Sequence, residues 1–400
     1  MHSPGPEHYR LAVIFQRPHV YFCQFLQVLA ARPELDVTAY FYSTCGIGST
    51  PDPDLGRSLR SPESSLSGYH ARILKNRSPR PDLARFWGLF HPGLIREISP
   101  RYDALMVHGW WGLSSWLAYF TALARSVPVL VHSDRSYGQG RTRPERRPAL
   151  RWLFRHASGF LVIGKRNGEF YRHLGVDAAR MFPTPLAVDN QFYQTAAARL
   201  TPQRDALRQK LGIAHSDFVI LNAGRLAPEK GLMDLLLAFK TLAANHAHLL
   251  LVGDGREGRR LRDFVAAHRL ERVHFLGTKT YEELPEYYAM ADVFVLPSYI
   301  EPWAVVVNEA MNFALPVIAS QQVGAADDLV KDGVNGFRFD AGDTGALATI
   351  LRRMVDTPEI CRKMGGCALP IIREWNLERA AEGVLAALRS LTARREDHKA

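Results

Sequence analysis

Glu301 and Glu309 bracket the segment Glu301-Pro302-Trp303-Ala304-Val305-Val306-Val307-Asn308-Glu309, which closely follows the apolar run Val293–Leu296. If the chain is helical from about Trp303 onward, the two carboxylates lie up to about 12 Å apart along the axis, at 1.5 Å per residue. That exceeds the roughly 5–9.5 Å between carboxylates sharing one glycosidic bond. It is about the length of a sugar activated on a nucleotide, so one glutamate can reach the sugar while the other reaches the ribose. The spacing favours group transfer over two-carboxylate hydrolysis.

A second group is basic. Gly224-Arg225-Leu226-Ala227-Pro228-Glu229-Lys230-Gly231 joins an apolar run to an amphipathic one, the pattern of a strand-to-helix turn. Arg225 presents a planar fork for phosphate oxygens and Lys230 a compact charge, so together they can carry the charge that grows on a departing diphosphate. Two histidines, His108 and His132, follow apolar runs at strand-end positions. His132-Ser133-Asp134 is not a hydrolase triad, whose members converge from separate elements. Gly253-Asp254-Gly255-Arg256-Glu257-Gly258 spells a dinucleotide fingerprint but follows the second strand of its domain, and Gly277-Thr278-Lys279 stands where a ribose-binding acid belongs. Asp52-Pro53-Asp54 has no strand before it and reads as loop, and no His, Cys and Asp cluster points to a metal.

These groups need a frame. Four hundred residues, 47% of them hydrophobic, suit two soluble domains. In the second half, strand-like runs at 218–221, 249–252, 273–276, 293–296, 316–319 and 336–339 alternate with amphipathic segments. The first half repeats this with strands near 11–15, 37–41, 104–107, 129–131 and 160–163, and 50–100 reads as an insertion or loop region. The expectation is two Rossmann-like α/β domains, each a doubly wound parallel sheet, facing a cleft. Their expected limits are 1–190 and 191–375, with 376–400 a C-terminal helix and tail that can cross back to the first domain.

Charge is uneven. Residues 1–195 hold 24 Lys and Arg against 14 Asp and Glu, whereas residues 196–400 hold 26 of each. The basic first half suits an anionic acceptor or membrane face, with the sharpest run, seven arginines, between Arg135 and Arg155. No stacking platform or groove-reading motif accompanies it, so nucleic acid is not expected. Four cysteines without paired spacing, a start lacking signal-peptide order, and no apolar run long enough to span a bilayer point to the cytoplasm.

The ordered set G-R-L-A-P-E-K-G, strand-G-D-G, E-P-W-A-V-V-V-N-E-A-M and L-P-V-I-A-S resembles the bacterial family-4 retaining glycosyltransferases with the GT-B fold. The likeness is specific over residues 218–340, looser over 100–190 and faint before that. It implies a nucleotide-diphosphate sugar donor bound by the C-terminal domain and an acceptor bound by the N-terminal one. The acceptor is then a lipid-linked, polysaccharide or small-molecule hydroxyl. No metal or other cofactor is implied. By this resemblance Arg225 and Lys230 bind the diphosphate, Glu301 the sugar hydroxyls and Glu309 the ribose. Gly224 and Gly253 lie by the nucleotide, backbone amides at Trp303, Ala304 and Val305 face the sugar-phosphate region, and His132 approaches the sugar. Two departures stand out: Ala304 replaces the usual glycine, and Gln16-Arg17-Pro18-His19 replaces an N-terminal glycine-rich loop. The latter leaves Arg17 and His108 as the acceptor-side candidates. A nucleotide-sugar epimerase on the same fold is the alternative.

Overall fold

The computed structural model describes residues 8–43, 66–83, 85–135 and 147–397. It divides into unit 1, Met1–Leu186 with Leu377–Ala400, and unit 2, Ala187–Asn376.

In unit 1 the chain runs β1 (Tyr9–Phe15), α1 (Val20–Ala30), β2 (Leu35–Phe41), β3 (His70–Ile73), α2 (Leu94–Glu97), β4 (Ala104–His108), α3 (Leu113–Ala124), β5 (Val129–His132), α4 (Arg147–His156), β6 (Gly159–Val162), α5 (Lys165–His173) and β7 (Met181–Pro183). All pairings are parallel, in the order β3-β2-β1-β4-β5-β6-β7. The inner strands are apolar because helices cover both faces of such a sheet. Ala12, Ile14, Leu105, Val107 and Val131 are fully buried in its core. β3 corrects the reading of 50–100 as loop: it is an exposed edge strand with no apolar run to announce it. Asp52 and Asp54 lie outside the described residues. β7 ends on Pro183, which an edge strand tolerates because a missing N–H there breaks no central ladder.

Unit 2 continues with α6 (Asn190–Leu200), α7 (Arg204–Gln209), β8 (Phe218–Ala223), α8 (Leu232–Leu242), β9 (Ala247–Val252), α9 (Gly258–Ala267), β10 (Val273–Gly277), α10 (Leu284–Met290), β11 (Val293–Leu296), α11 (Val305–Asn312), β12 (Val317–Ser320), α12 (Ala326–Leu329), β13 (Gly336–Phe339), α13 (Thr344–Asp356) and α14 (Pro358–Arg373). Its sheet is also parallel, in the order β10-β9-β8-β11-β12-β13. Every residue of β8 and β9 is buried. Leu235, Leu251, Val295, Ile318 and Leu351 are fully buried in the core around them, each stabilising the unit by about 1.5–3 kcal/mol. The last helix, α15 (Leu377–Asp397), belongs to unit 1, where it packs on α1, β6 and β7.

Both sheets reverse direction beside their first strand, between β1 and β4 in unit 1 and between β8 and β11 in unit 2. Loops leaving the carboxyl ends of such a strand pair diverge and open a crevice, where open α/β sheets take ligands. Both doubly wound parallel sheets expected from the sequence are present.

Candidate active site

The unit 2 crevice is held open by backbone packing. A Cβ on Gly253 would lie 1.9 Å from the Gly224 carbonyl oxygen, so only glycine lets the turns after β8 and β9 meet. The Gly253 amide donates to the Gly277 carbonyl at 2.9 Å and the Leu226 amide to the Asp254 carbonyl at 3.0 Å, joining these turns to the end of β10. Gly253 thus builds the crevice edge, and the dinucleotide spelling around it reflects this packing.

Across the crevice, the β8 loop is stitched to the β11 loop. Gly231, in the left-handed region at φ 64°, starts α8 with its Cα against the Pro297 carbonyl; a Cβ there would sit 2.2 Å from that oxygen. The Glu229 carbonyl accepts from the Tyr299 amide at 2.8 Å, and the Tyr299 hydroxyl donates to Asp234 at 2.5 Å. That bond to a carboxylate holds the Tyr299 phenol above its usual pKa.

This stitching brings Lys230 and Glu301 together: the ammonium donates to the Glu301 carboxylate in a close ion pair, with 17% and 11% of the two side chains exposed. Arg225 reaches Glu229 at 3.6 Å, and Arg256 reaches the other Glu229 oxygen at 3.3 Å. One carboxylate therefore spaces two guanidiniums on the crevice rim. The Glu301 carbonyl accepts from the Gly324 amide at 2.9 Å, fixing the backbone that carries the acid.

The glutamate pair differs from a continuous helix. α11 begins at Val305, and Ala304 precedes it at φ 86°, ψ 79° with no side-chain cap on the helix start. Only the four steps from Val305 to Glu309 are helical, about 6 Å of rise, and the rest is a turn through Ala304. Ser126, Ala243, Arg269 and Ala314 also have positive φ, but at 48–54° and just after helices, where the left-handed conformation is ordinary. Ala304 stands apart, before a helix and away from that minimum. Such strain persists where surrounding structure imposes it.

Trp303, 3% exposed, stacks on Trp375 at 5.5 Å and donates its Nε1–H to Asn308 at 3.1 Å. Its indole anchors the turn, and its carbonyl accepts from the Ala325 amide at 2.9 Å. Asn308 lies within a polar set in which Asn312 donates to Asn190 and accepts from Gln194, both bonds 2.8 Å, tying α11 to α6. Glu309 is fully buried and accepts from the Tyr288 hydroxyl at 2.6 Å.

In unit 1, β4 and β5 place His108 and His132 in register, their Nδ1 atoms 2.9 Å apart. One ring must donate and the other accept, so the two carry different tautomers. Phe22 packs against both rings, at 4.7 Å from His108 and 6.3 Å from His132. Burial lowers both histidine pKa values, that of His132 strongly; a charge on His108 lowers the His132 value further, whereas Asp134 partly offsets the effect of burial on His108. Arg17, partly exposed, follows β1, so Arg17 and His108 flank the unit 1 reversal point.

Glu229, Tyr299, Arg256 and Tyr288 were not singled out from the sequence. Glu229 stands within the basic turn itself and Arg256 within the Gly253–Gly258 dinucleotide spelling, whereas Tyr299 and Tyr288 carry no motif. Among the described residues no group of three or more His, Cys, Asp or Glu could hold a metal ion, and no helix is long and apolar enough to cross a membrane.

Fold and site define a glycosyltransferase of the GT-B class. The chain belongs to the glycosyl transferases group 1: that family's model matches residues 203–368, and a glycosyl transferase 4-like domain matches 18–187. Alpha-D-kanosaminyltransferase of Streptomyces kanamyceticus is 26% identical over 312 residues, 74% of this chain and 79% of its own. D-inositol 3-phosphate glycosyltransferase of Streptomyces scabiei is 27% identical over 338 residues, 78% and 71% of the two chains. HepE from Anabaena, crystallised with UDP and glucose, superposes with a TM-score of 0.74 at 20% identity, over 96% of this chain and 100% of that one. The two Streptomyces relatives are transferases, and the epimerase alternative is not favoured.

Proposed function

We propose that the protein transfers a hexose-type sugar from a nucleoside diphosphate to an acceptor hydroxyl, retaining the anomeric configuration and using no metal. The observation that carries this reading is the Lys230–Glu301 ion pair, beside Arg225 at the unit 2 reversal point. On donor binding, Lys230 and Arg225 take the diphosphate and Glu301 turns to the sugar hydroxyls. The amides of Trp303, Ala304 and Val305 face the sugar-phosphate link at the α11 start, where the helix dipole favours negative charge. Glu309, steadied by Tyr288, serves the ribose end, with Gly224 and Gly253 allowing the nucleotide close approach.

Retention follows from front-face attack. The acceptor oxygen bonds to the anomeric carbon as the bond to the diphosphate breaks, and the departing phosphate oxygen takes the acceptor proton. Arg225 and Lys230 carry the released charge, so orientation and electrostatics supply most of the rate. His132, paired with His108, stays neutral and offers a hydrogen bond to the sugar without adding charge. Arg17 and His108 serve the acceptor side.

HepE's complex with UDP and glucose supports a nucleotide-sugar donor. The basic first half supports polysaccharide or glycolipid synthesis at the inner face of the cell membrane, the enzyme being cytoplasmic and peripheral. A small-molecule acceptor is the second reading, favoured by the likeness to a kanosaminyltransferase. Incubation with UDP, GDP, ADP and dTDP sugars tests the whole. Nucleoside diphosphate release that depends on an acceptor supports transfer, whereas an isomerised donor or no reaction with any of them contradicts it.

A further inference from the structure

Unit 1 carries an exposed aromatic strip. Trp116, Phe120, Trp152 and His156 follow one another across α3 and α4, with successive ring centroids 6.0, 5.6 and 4.4 Å apart. Phe120 is 49% and Trp152 42% exposed, whereas Leu153 and Phe154, next along α4, are 1% exposed and form core. Single exposed aromatics are ordinary; adjoining ones on one face mark an interaction surface.

The charged residues of these two helices have one sign. α3 has no charged residue, and α4 carries Arg151, Arg155 and His156, all exposed, with no acid. Beside the strip opens a cavity of about 420 Å³, lined by Leu123, just below Phe120 on α3, by Ala157, just after α4, and by Arg180 and Arg394. Arg180 is fixed by donating to the Ala157 carbonyl at 2.9 Å, and Arg394 by donating to the Ala179 carbonyl at 2.9 Å. Among the described residues no carboxylate lines the cavity. Burial and then Arg394 lower the Arg180 pKa and Asp177 offsets this only in part, so an anion placed between the two guanidiniums would be stabilised.

We propose that this face docks on an anionic phospholipid surface, with Phe120 and Trp152 entering the interfacial layer and the Arg180–Arg394 cavity receiving a lipid phosphate. Aromatic rings with an arginine border suit the depth where apolar and polar zones of a bilayer meet. A nucleic-acid platform would present separated ring faces for bases, whereas Phe120 and Trp152 pack on each other, tilted by 42°. The proposal names the surface behind the membrane reading above and is independent of the donor chemistry.

The test is sedimentation of the full chain with phosphatidylcholine vesicles, with and without phosphatidylglycerol, at low and physiological salt. Wild type should bind only vesicles containing phosphatidylglycerol, and less at higher salt. The double variant Phe120→Ser/Trp152→Ser should lower vesicle affinity by about tenfold or more, and Arg151→Gln/Arg155→Gln should remove most of the salt dependence. Nucleotide-sugar binding by the same samples, read by thermal shift, should not change, which separates this proposal from the transferase assignment. No vesicle binding by wild type, or equal binding by the aromatic variant, overturns the proposal. So does loss of a dimer or of oligonucleotide retention in that variant, which would make the strip an interface between copies or a nucleic-acid surface.

Discussion

Replacing Ala304 with glycine should stabilise unit 2. At φ 86°, ψ 79° the Ala304 Cβ crowds the adjoining carbonyls, a left-handed conformation that costs an L-residue about 1–2 kcal/mol. Glycine removes that cost but loses about 0.5–1 kcal/mol through the greater freedom of its unfolded chain. The net gain is about 0.5–1 kcal/mol, or roughly 1–4 °C in Tm for a unit of this size. Ala304→Val should shift stability the other way by about 2 kcal/mol, because a branched side chain is still less tolerated at positive φ. Urea midpoints for the three proteins, with the donor panel run on each, read both stability and selectivity. If the strain is kept for the donor site, the glycine variant gains stability and changes its ranking of donors. A glycine variant no more stable than wild type would refute the strained backbone, and an unchanged donor ranking would refute its functional use.

Acid should weaken the protein from about pH 6.5 downward. His108 and His132 are held neutral by burial, so below that pH the unfolded chain takes up protons that the folded pair refuses. Stability is full above the unfolded value and falls by about 1.4 kcal/mol per pH unit for each such histidine until the folded pair titrates. Urea midpoints across this range, with a shallower slope in His132→Gln, check it. Gly253→Ala should cost about 2–4 kcal/mol and abolish the thermal shift given by nucleotide sugars, because its Cβ would strike the Gly224 carbonyl at 1.9 Å.

The unit 2 sheet was legible because strands covered on both faces must be continuous apolar runs, as β8, β9 and β11 are. Edge strands escape that rule. β3 is largely exposed and β7 is only three residues ending in proline, so neither leaves a pattern. Site residues were legible where chemistry demands a residue type, as at Lys230 and Glu301. They were hidden where the role is a contact across the fold. Tyr288 matters because α10 lays its hydroxyl on Glu309, and His108 meets His132 only through strand register. The positive φ at Ala304 was signalled only by alanine standing where the resemblance has glycine, whereas the late start of α11 that goes with it left no mark in Trp303-Ala304-Val305.

The most direct test of the central claim is sugar transfer by Lys230→Ala and Glu301→Ala, each purified and checked for folding by circular dichroism and by its urea midpoint. Removing either partner of this largely buried pair should lower stability. If both serve the donor, transfer should fall by at least about 10²–10³-fold in protein that is still folded. Near-normal turnover in both folded variants would contradict the assignment of this crevice as the donor site.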